Sequence, residues 1–100
     1  MVKHPVHTKR SSYRGSDPKK RQKAAEENRV SAAIEAHINK LLLEQEDPIY
    51  SYMYTIISHE TGYSFRQVEE ACYQIDCGSN GFTVIRHDLS YDQALALNRG

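Results

Sequence analysis

Residues 56–71 read Ile56-Ile57-Ser58-His59-Glu60-Thr61-Gly62-Tyr63-Ser64-Phe65-Arg66-Gln67-Val68-Glu69-Glu70-Ala71 and predict two helices with a tight bend between them. Gly62 supplies the left-handed residue that ends the first helix. Ser64, with Gln67 three residues on, has the capping-box spacing that opens the second. Upstream, Asp47-Pro48 is a start signal, and Ile49, Tyr52, Met53, Ile56 and Ile57 predict the inner face of a helix running from there, with Tyr50 and Tyr54 on its flank. Downstream, Val68, Ala71, Cys72 and Ile75 give the next helix its inner face, and Gly78 ends it.

Outward from this pair, Asp17-Pro18 predicts the start of a long helix, because Asp caps and Pro fits the first helical position. Val30, Ala33, Ile34, Ile38, Leu41 and Leu42 recur at spacings of three and four as its buried stripe, with Glu26, Glu35, Asn39 and Lys40 turned out. Residues 19–25 have no apolar stripe and are expected to project as a basic extension. On the C-terminal side, Ser79-Asn80-Gly81 is a turn, and residues 82–86 alternate as a strand whose partner is not evident. Ser90 and Gln93 make a second capping-box pair ahead of a short last helix.

The 100 residues carry 13 basic and 13 acidic side chains, a net charge of zero that hides a division along the chain. Residues 1–23 hold eight cations against Asp17 alone, a net +7, so the remainder carries −7. Residues 1–16 show no apolar periodicity, and the expectation is a disordered basic arm over 1–17 attached to a helical domain over 18–100. No apolar run approaches the roughly 20 residues of a membrane span. No signal-length apolar run follows Met1, and Val2 stands where myristoylation requires glycine, so the expected location is cytoplasmic.

Chemistry in the chain is sparse. Cys72 and Cys77 are five residues apart, which on a helix turns them about 140° from each other, so reduced thiols are expected. No paired ligands follow to complete a zinc site, and His4 with His7 lies in the arm. His59-Glu60 begins like the zinc-protease helix motif, but Tyr63 occupies the second histidine's position. His37 reads as a packing residue. Neither a nucleophile arrangement nor a glycine-rich phosphate loop is present, so the expectation is a protein without enzymatic activity, metal or cofactor.

The bend at residues 61–64 has the length and composition of a helix-turn-helix, with a small Ser58 in the first helix, Tyr63 plugging the turn and Val68 at the crossing. Over residues 28–87 the chain resembles the helix-turn-helix of bacterial DNA-binding regulators, and the strand after the second helix resembles a winged variant. The implied fold is mainly α: a small helix-turn-helix or winged-helix domain of three to four helices, with the motif at 48–77, a short C-terminal strand or hairpin and the basic arm.

The resemblance implies that the helix from Ser64 reads the major groove of double-stranded DNA through Ser64, Phe65, Arg66, Glu69, Glu70 and Tyr73. Arg66 would contact guanine, a glutamate would accept from a cytosine amino group, and Tyr73 or Ser64 would bond a phosphate. Arg86, with His87, would serve as the wing. Two glutamates on a reading helix repel phosphate, so Lys9, Arg10, Arg14, Lys19, Lys20, Arg21 and Lys23 are expected to supply the affinity by counterion release. A homodimer seamed along the first helix would set two readers one DNA turn apart. Two other classes fit the same residues: a protein-interaction module using the acidic face, and an RNA-binding protein led by the arm.

Overall fold

Asp17 starts the first helix as its composition requires. Its Oδ1 accepts the Lys19 N–H at 3.0 Å, and α1 (Pro18–Glu44) runs 27 residues from there. The computed structural model describes residues 5–76 and 80–99. In chain order α1 is followed by β1 (Ile49–Met53), α2 (Tyr54–Thr61), α3 (Phe65–Asp76), β2 (Gly81–Ile85) and α4 (Tyr91–Arg99). The protein is mainly helical, with one small antiparallel sheet of two strands. None of the described helices is long and apolar enough to cross a membrane.

The main departure from the sequence pattern is β1. Where the apolar spacing predicts a helix from residue 48, the structure has a strand over Ile49–Met53, and α2 begins only at Tyr54. The reason is pairing. Residues 49–53 are aromatic and β-branched enough for a pleated surface, and β2 offers them a ladder with Tyr52 opposite Phe82 and Ser51 opposite Thr83. Tyr52 and Phe82 both turn inward, while the hydroxyls of Ser51 and Thr83 meet outside at 2.9 Å. The partner missing from the sequence pattern is thus the segment read as the start of the second helix. At Gly81 a Cβ would lie 2.3 Å from the Tyr52 carbonyl oxygen, so the ladder needs glycine there.

The core gathers Val30, Ile34, Ile38 and Leu42 from α1, Tyr52 and Phe82 from the sheet, Tyr54 and Ile57 from α2, and Val68, Ala71 and Cys72 from α3. Moving the start of α2 reorders its faces. Tyr54, predicted on the flank, is buried, whereas Met53 and Ile56, predicted inward, are exposed. Ala33 is exposed too, and Ser31 takes its place among the buried residues of α1. Gln45 closes the end of α1 on the sheet, donating to the carbonyls of Asp47 and Val84 and accepting the Tyr52 hydroxyl at 2.7 Å.

Both capping boxes form. Ser64 and Gln67 exchange bonds of 2.9 and 3.1 Å ahead of α3, and Ser90 and Gln93 exchange bonds of 2.9 and 3.2 Å ahead of α4. Gly62 has φ of 81° and caps α2 by donating to the Ser58 carbonyl. Gly78 and Cys77 lie outside the described residues, so the predicted end of α3 and one of the two thiols do as well. Among the described residues no strand follows β2, and the hairpin that would form a wing is not found there. β2 instead pairs with β1, with α2 and α3 between them in sequence.

Candidate nucleic-acid interface

The second helix of the bend is held from both ends of the turn. The Ser58 hydroxyl donates to the Tyr63 carbonyl, the Thr61 hydroxyl donates to the Ile57 carbonyl at 2.7 Å, and the capping box fixes where α3 begins. Val68, Ala71 and Cys72 then face the core, which turns Arg66, Glu70 and Tyr73 outward. Tyr73 is 62% exposed. Glu69 sits half-buried at the edge of this face. Arg66 is held by Glu70 one turn on, with Nε 3.4 Å from Oε1. Burial pushes the Cys72 thiol up to about 12, which keeps it protonated and inert.

Two predicted contacts take other roles. Phe65 does not face outward: its ring packs edge-on against Tyr54, centroids 6.0 Å apart, because the first residue of α3 lies over the core. Arg86 does not extend from a wing. It chelates Asp88, with Nε 2.6 Å from Oδ1, and donates to the Glu46 carbonyl at 2.8 Å, tying β2 back to the end of α1. The guanidinium holds the Asp88 carboxyl below the usual range through that hydrogen bond.

The arm departs furthest from expectation. Rather than beginning at Asp17, order extends back through residues 5–11, which run as an extended strap antiparallel to α1. Asn39 accepts the Val6 N–H at 2.9 Å and donates to the Val6 carbonyl at 3.2 Å. Asn28 does the same for Ser11, at 2.6 and 3.1 Å. Between them Glu35 accepts the Thr8 N–H at 2.9 Å, the Thr8 hydroxyl donates to the Ser31 carbonyl at 2.9 Å, and the Ser31 hydroxyl donates to the Lys9 carbonyl. Thr8 and Ser31 are buried by this arrangement. Arg10 reaches Ser31 at 2.9 Å and Glu35 at 3.2 Å.

The segment orders because α1 supplies side-chain partners for both backbone groups of Val6 and Ser11, the Thr8 N–H and the Lys9 carbonyl. Asn28, Ser31, Glu35 and Asn39 are the functional residues that sequence reasoning misses; Glu35 and Asn39, predicted to be turned out, lie half-buried beneath the strap. Their signal is a polar stripe at spacings of three, four and four, of residues that favour side-chain to backbone bonding over solvent on a helix interior.

On its other side the strap touches α3: the Lys9 N–H donates to the Ala71 carbonyl at 3.0 Å. That bond places Lys9 beside α3, while the Arg10 guanidinium turns to Ser31 and Glu35 on α1, and Arg14 follows in the exposed connection back to α1. An open cleft of about 470 Å³ lies between strap, α1 and α3, bordered by Tyr13, Glu26, Glu27, Gln67 and Glu70. Lys19, Lys20, Arg21 and Lys23 are exposed on the first turns of α1, which are helical as far as Pro18. A helix of 27 residues runs about 40 Å in a molecule whose extents are 56 by 24 by 22 Å, and residues 19–23 of this basic end are exposed throughout.

Neither of the remaining histidine readings gathers a metal. His37 Nε2 lies 3.0 Å from Glu60 Oε1 and ties α1 to α2, and among the described residues no three His, Cys, Asp or Glu side chains converge. No protein-family profile, curated protein or solved structure matches this chain.

Proposed function

We infer that the protein is a small DNA-binding regulator, in which α3 discriminates sequence and the strap and the basic end of α1 supply affinity. One observation carries this reading: the 3.0 Å bond from the Lys9 N–H to the Ala71 carbonyl. An acidic helix is a poor reader of DNA by itself, because phosphate repulsion opposes its approach. With the strap bonded to α3, Lys9 and Arg10 line one cleft with Glu70 of its outward face, and Arg14 is exposed in the connection that follows. Phosphate contacts then position the helix and its own side chains select bases. A homodimer and a cytoplasmic setting belong to the same reading.

Fluorescent duplex DNA titrated with the full chain over a range of salt concentrations tests it. Binding at low salt is expected, with a log–log salt slope that falls by up to about four when Lys19, Lys20, Arg21 and Lys23 are neutralised together. Arg66→Ala is expected to relax base preference and leave the slope nearly unchanged. Absence of duplex binding at low salt sinks the reading, and a preference for single-stranded RNA would favour an RNA-binding protein instead.

A further inference from the structure

The ladder between β1 and β2 fixes which backbone groups of β1 are left over. The Arg86 N–H donates to the Pro48 carbonyl at 2.8 Å, and the Tyr54 N–H donates to the Asn80 carbonyl at 2.9 Å. By the alternation of an antiparallel pair, Tyr50 and Tyr52 between them also turn their backbone groups toward β2, and Ile49, Ser51 and Met53 turn theirs away. Among the described residues nothing bonds to the Ser51 N–H or carbonyl, the Ile49 carbonyl or the Met53 N–H. α4 packs beside β1 but leaves Tyr50, Ser51 and Met53 exposed.

This edge is not blunted. Monomeric proteins protect an open edge with a charge, a proline or a bulge, whereas Ile49-Tyr50-Ser51-Tyr52-Met53 has no charge and keeps an unbroken register. Pro48, just before it, faces β2 and leaves the open side clear. Along the edge runs a groove lined by Leu41 of α1, Tyr50, Tyr52 and Met53 of β1, and Ile56 and Ile57 of α2. Glu60, the one charged side chain among the described residues lining it, lies 3.0 Å from His37 Nε2. The occupant that fits is an uncharged extended strand with large apolar side chains.

The chain itself supplies that strand. A two-fold axis at Ser51 sets β1 antiparallel to β1 of a second copy, with Ser51 opposite Ser51 and Ile49 opposite Met53. The groups left over then match, because each Ser51 exchanges two bonds with its counterpart and each Met53 N–H meets an Ile49 carbonyl. In that register Tyr50 stands opposite the partner's Tyr52, so the exposed Tyr50 ring enters the partner's groove and the exchange is reciprocal. A seam along α1 has no such surface: Val30, Ile34, Ile38 and Leu42 are buried in its own core.

We propose that β1 is the seam of a homodimer, which joins two hairpins into one four-stranded antiparallel sheet of order β2-β1-β1-β2. The homodimer of the functional reading thereby acquires its interface. The free protein tests it without DNA, so its failure is distinct from a failure to bind duplex.

Sedimentation of the full chain is expected to show a concentration-dependent dimer. Met53→Lys sets a charge near each end of the seam and is expected to weaken the dimer at least about tenfold. Tyr73→Lys, the same charge on the exposed face of α3, is expected to leave it unchanged. In a chain carrying Cys77→Ser, Ser51→Cys is expected to form an intermolecular disulfide on mild oxidation, because the facing Cα atoms stand about 5.5 Å apart. Thr83→Cys, one strand further out on each side, separates the pair by about 14 Å and is expected to stay unlinked. A full chain that is monomeric up to about 1 mM overturns the proposal. So does a dimer that a folded Met53→Lys chain leaves intact, or one that cross-links through Thr83→Cys and not through Ser51→Cys. Should circular dichroism show Met53→Lys unfolded, the two cysteine variants decide.

Discussion

Asn39 holds both backbone groups of Val6, accepting the N–H at 2.9 Å and donating to the carbonyl at 3.2 Å. One side chain in the C-terminal part of α1 thereby anchors the first residues of the strap, more than thirty positions earlier in sequence. Asn39→Ala is expected to cost about 1–2 kcal/mol in chemical denaturation, the value of two part-buried bonds. Asn39→Asp keeps the acceptor and loses the donor, so it should cost less. Hydrogen exchange at the Val6 and Thr8 amides reads the local effect; unchanged protection in Asn39→Ala would mean that the strap does not depend on this anchor.

Two glycines should respond to alanine for different reasons. Gly62 has open space around the missing Cβ but sits at φ of 81°, so Gly62→Ala carries only the left-handed penalty of about 1–2 kcal/mol. Gly81 faces the Tyr52 carbonyl, and its added carbon cannot be accommodated without moving backbone, so Gly81→Ala should cost about 3 kcal/mol. Urea midpoints of the two variants check the order.

High pH should act on the sheet. Burial raises the Tyr52 phenol to about 12, with the charges of Tyr50 and Asp47 contributing. Because the neutral phenol is the form the fold favours, its contribution is intact below about pH 10 and is lost as pH rises from there through 12. Tyr52→Phe loses the hydroxyl's bond to Gln45 and is expected to be less stable at neutral pH, yet to show a smaller loss of stability across that alkaline range. Denaturation series at stepped pH would measure both.

Cys72 offers a direct probe of global opening. In a chain carrying Cys77→Ser, the buried thiol, raised to about 12, should react with a disulfide reagent only as fast as the core opens. Fast stoichiometric labelling under native conditions would contradict its burial.

Lys9 separates the strap's charge from its position. Lys9→Ala removes one cation and keeps the N–H that bonds to Ala71, and is expected to lower the salt slope of DNA binding by about one. Lys9→Pro removes the same cation and the donor as well, so its duplex affinity should fall further. Equal losses for the two would show that the bond to α3 has no part in binding.

What could be read in advance followed local chemistry. The start of α1 at Pro18, the bend at Gly62 and both capping boxes rest on residues within four positions of each other, and each formed as predicted. β1 was hidden because residues 49–53 suit a helix face and a strand about equally, and the choice between them is made by residues 81–85. The strap was hidden for a related reason. Residues 5–11 carry no pattern of their own, and what orders them is written in Asn28, Ser31, Glu35 and Asn39, where polar residues pass for a solvated face. Arg66, Glu70 and Tyr73 face outward on α3 as its periodicity predicts, whereas Glu69 is half-buried at the edge and Phe65, at the helix start, turns onto Tyr54.

The pairing of β1 with β2 also has a kinetic meaning. The two strands flank the bent helix pair, so their ladder closes a loop running from residue 54 to 80 and cannot be completed until that loop has been drawn in. Helices form locally and quickly, whereas this contact is distant in sequence and comes late. Weakening the ladder, for example with Thr83→Ala, is therefore expected to quicken unfolding and leave refolding nearly unaltered. The strands then act as a clasp that sets how long the two helices of the bend stay together once they have met.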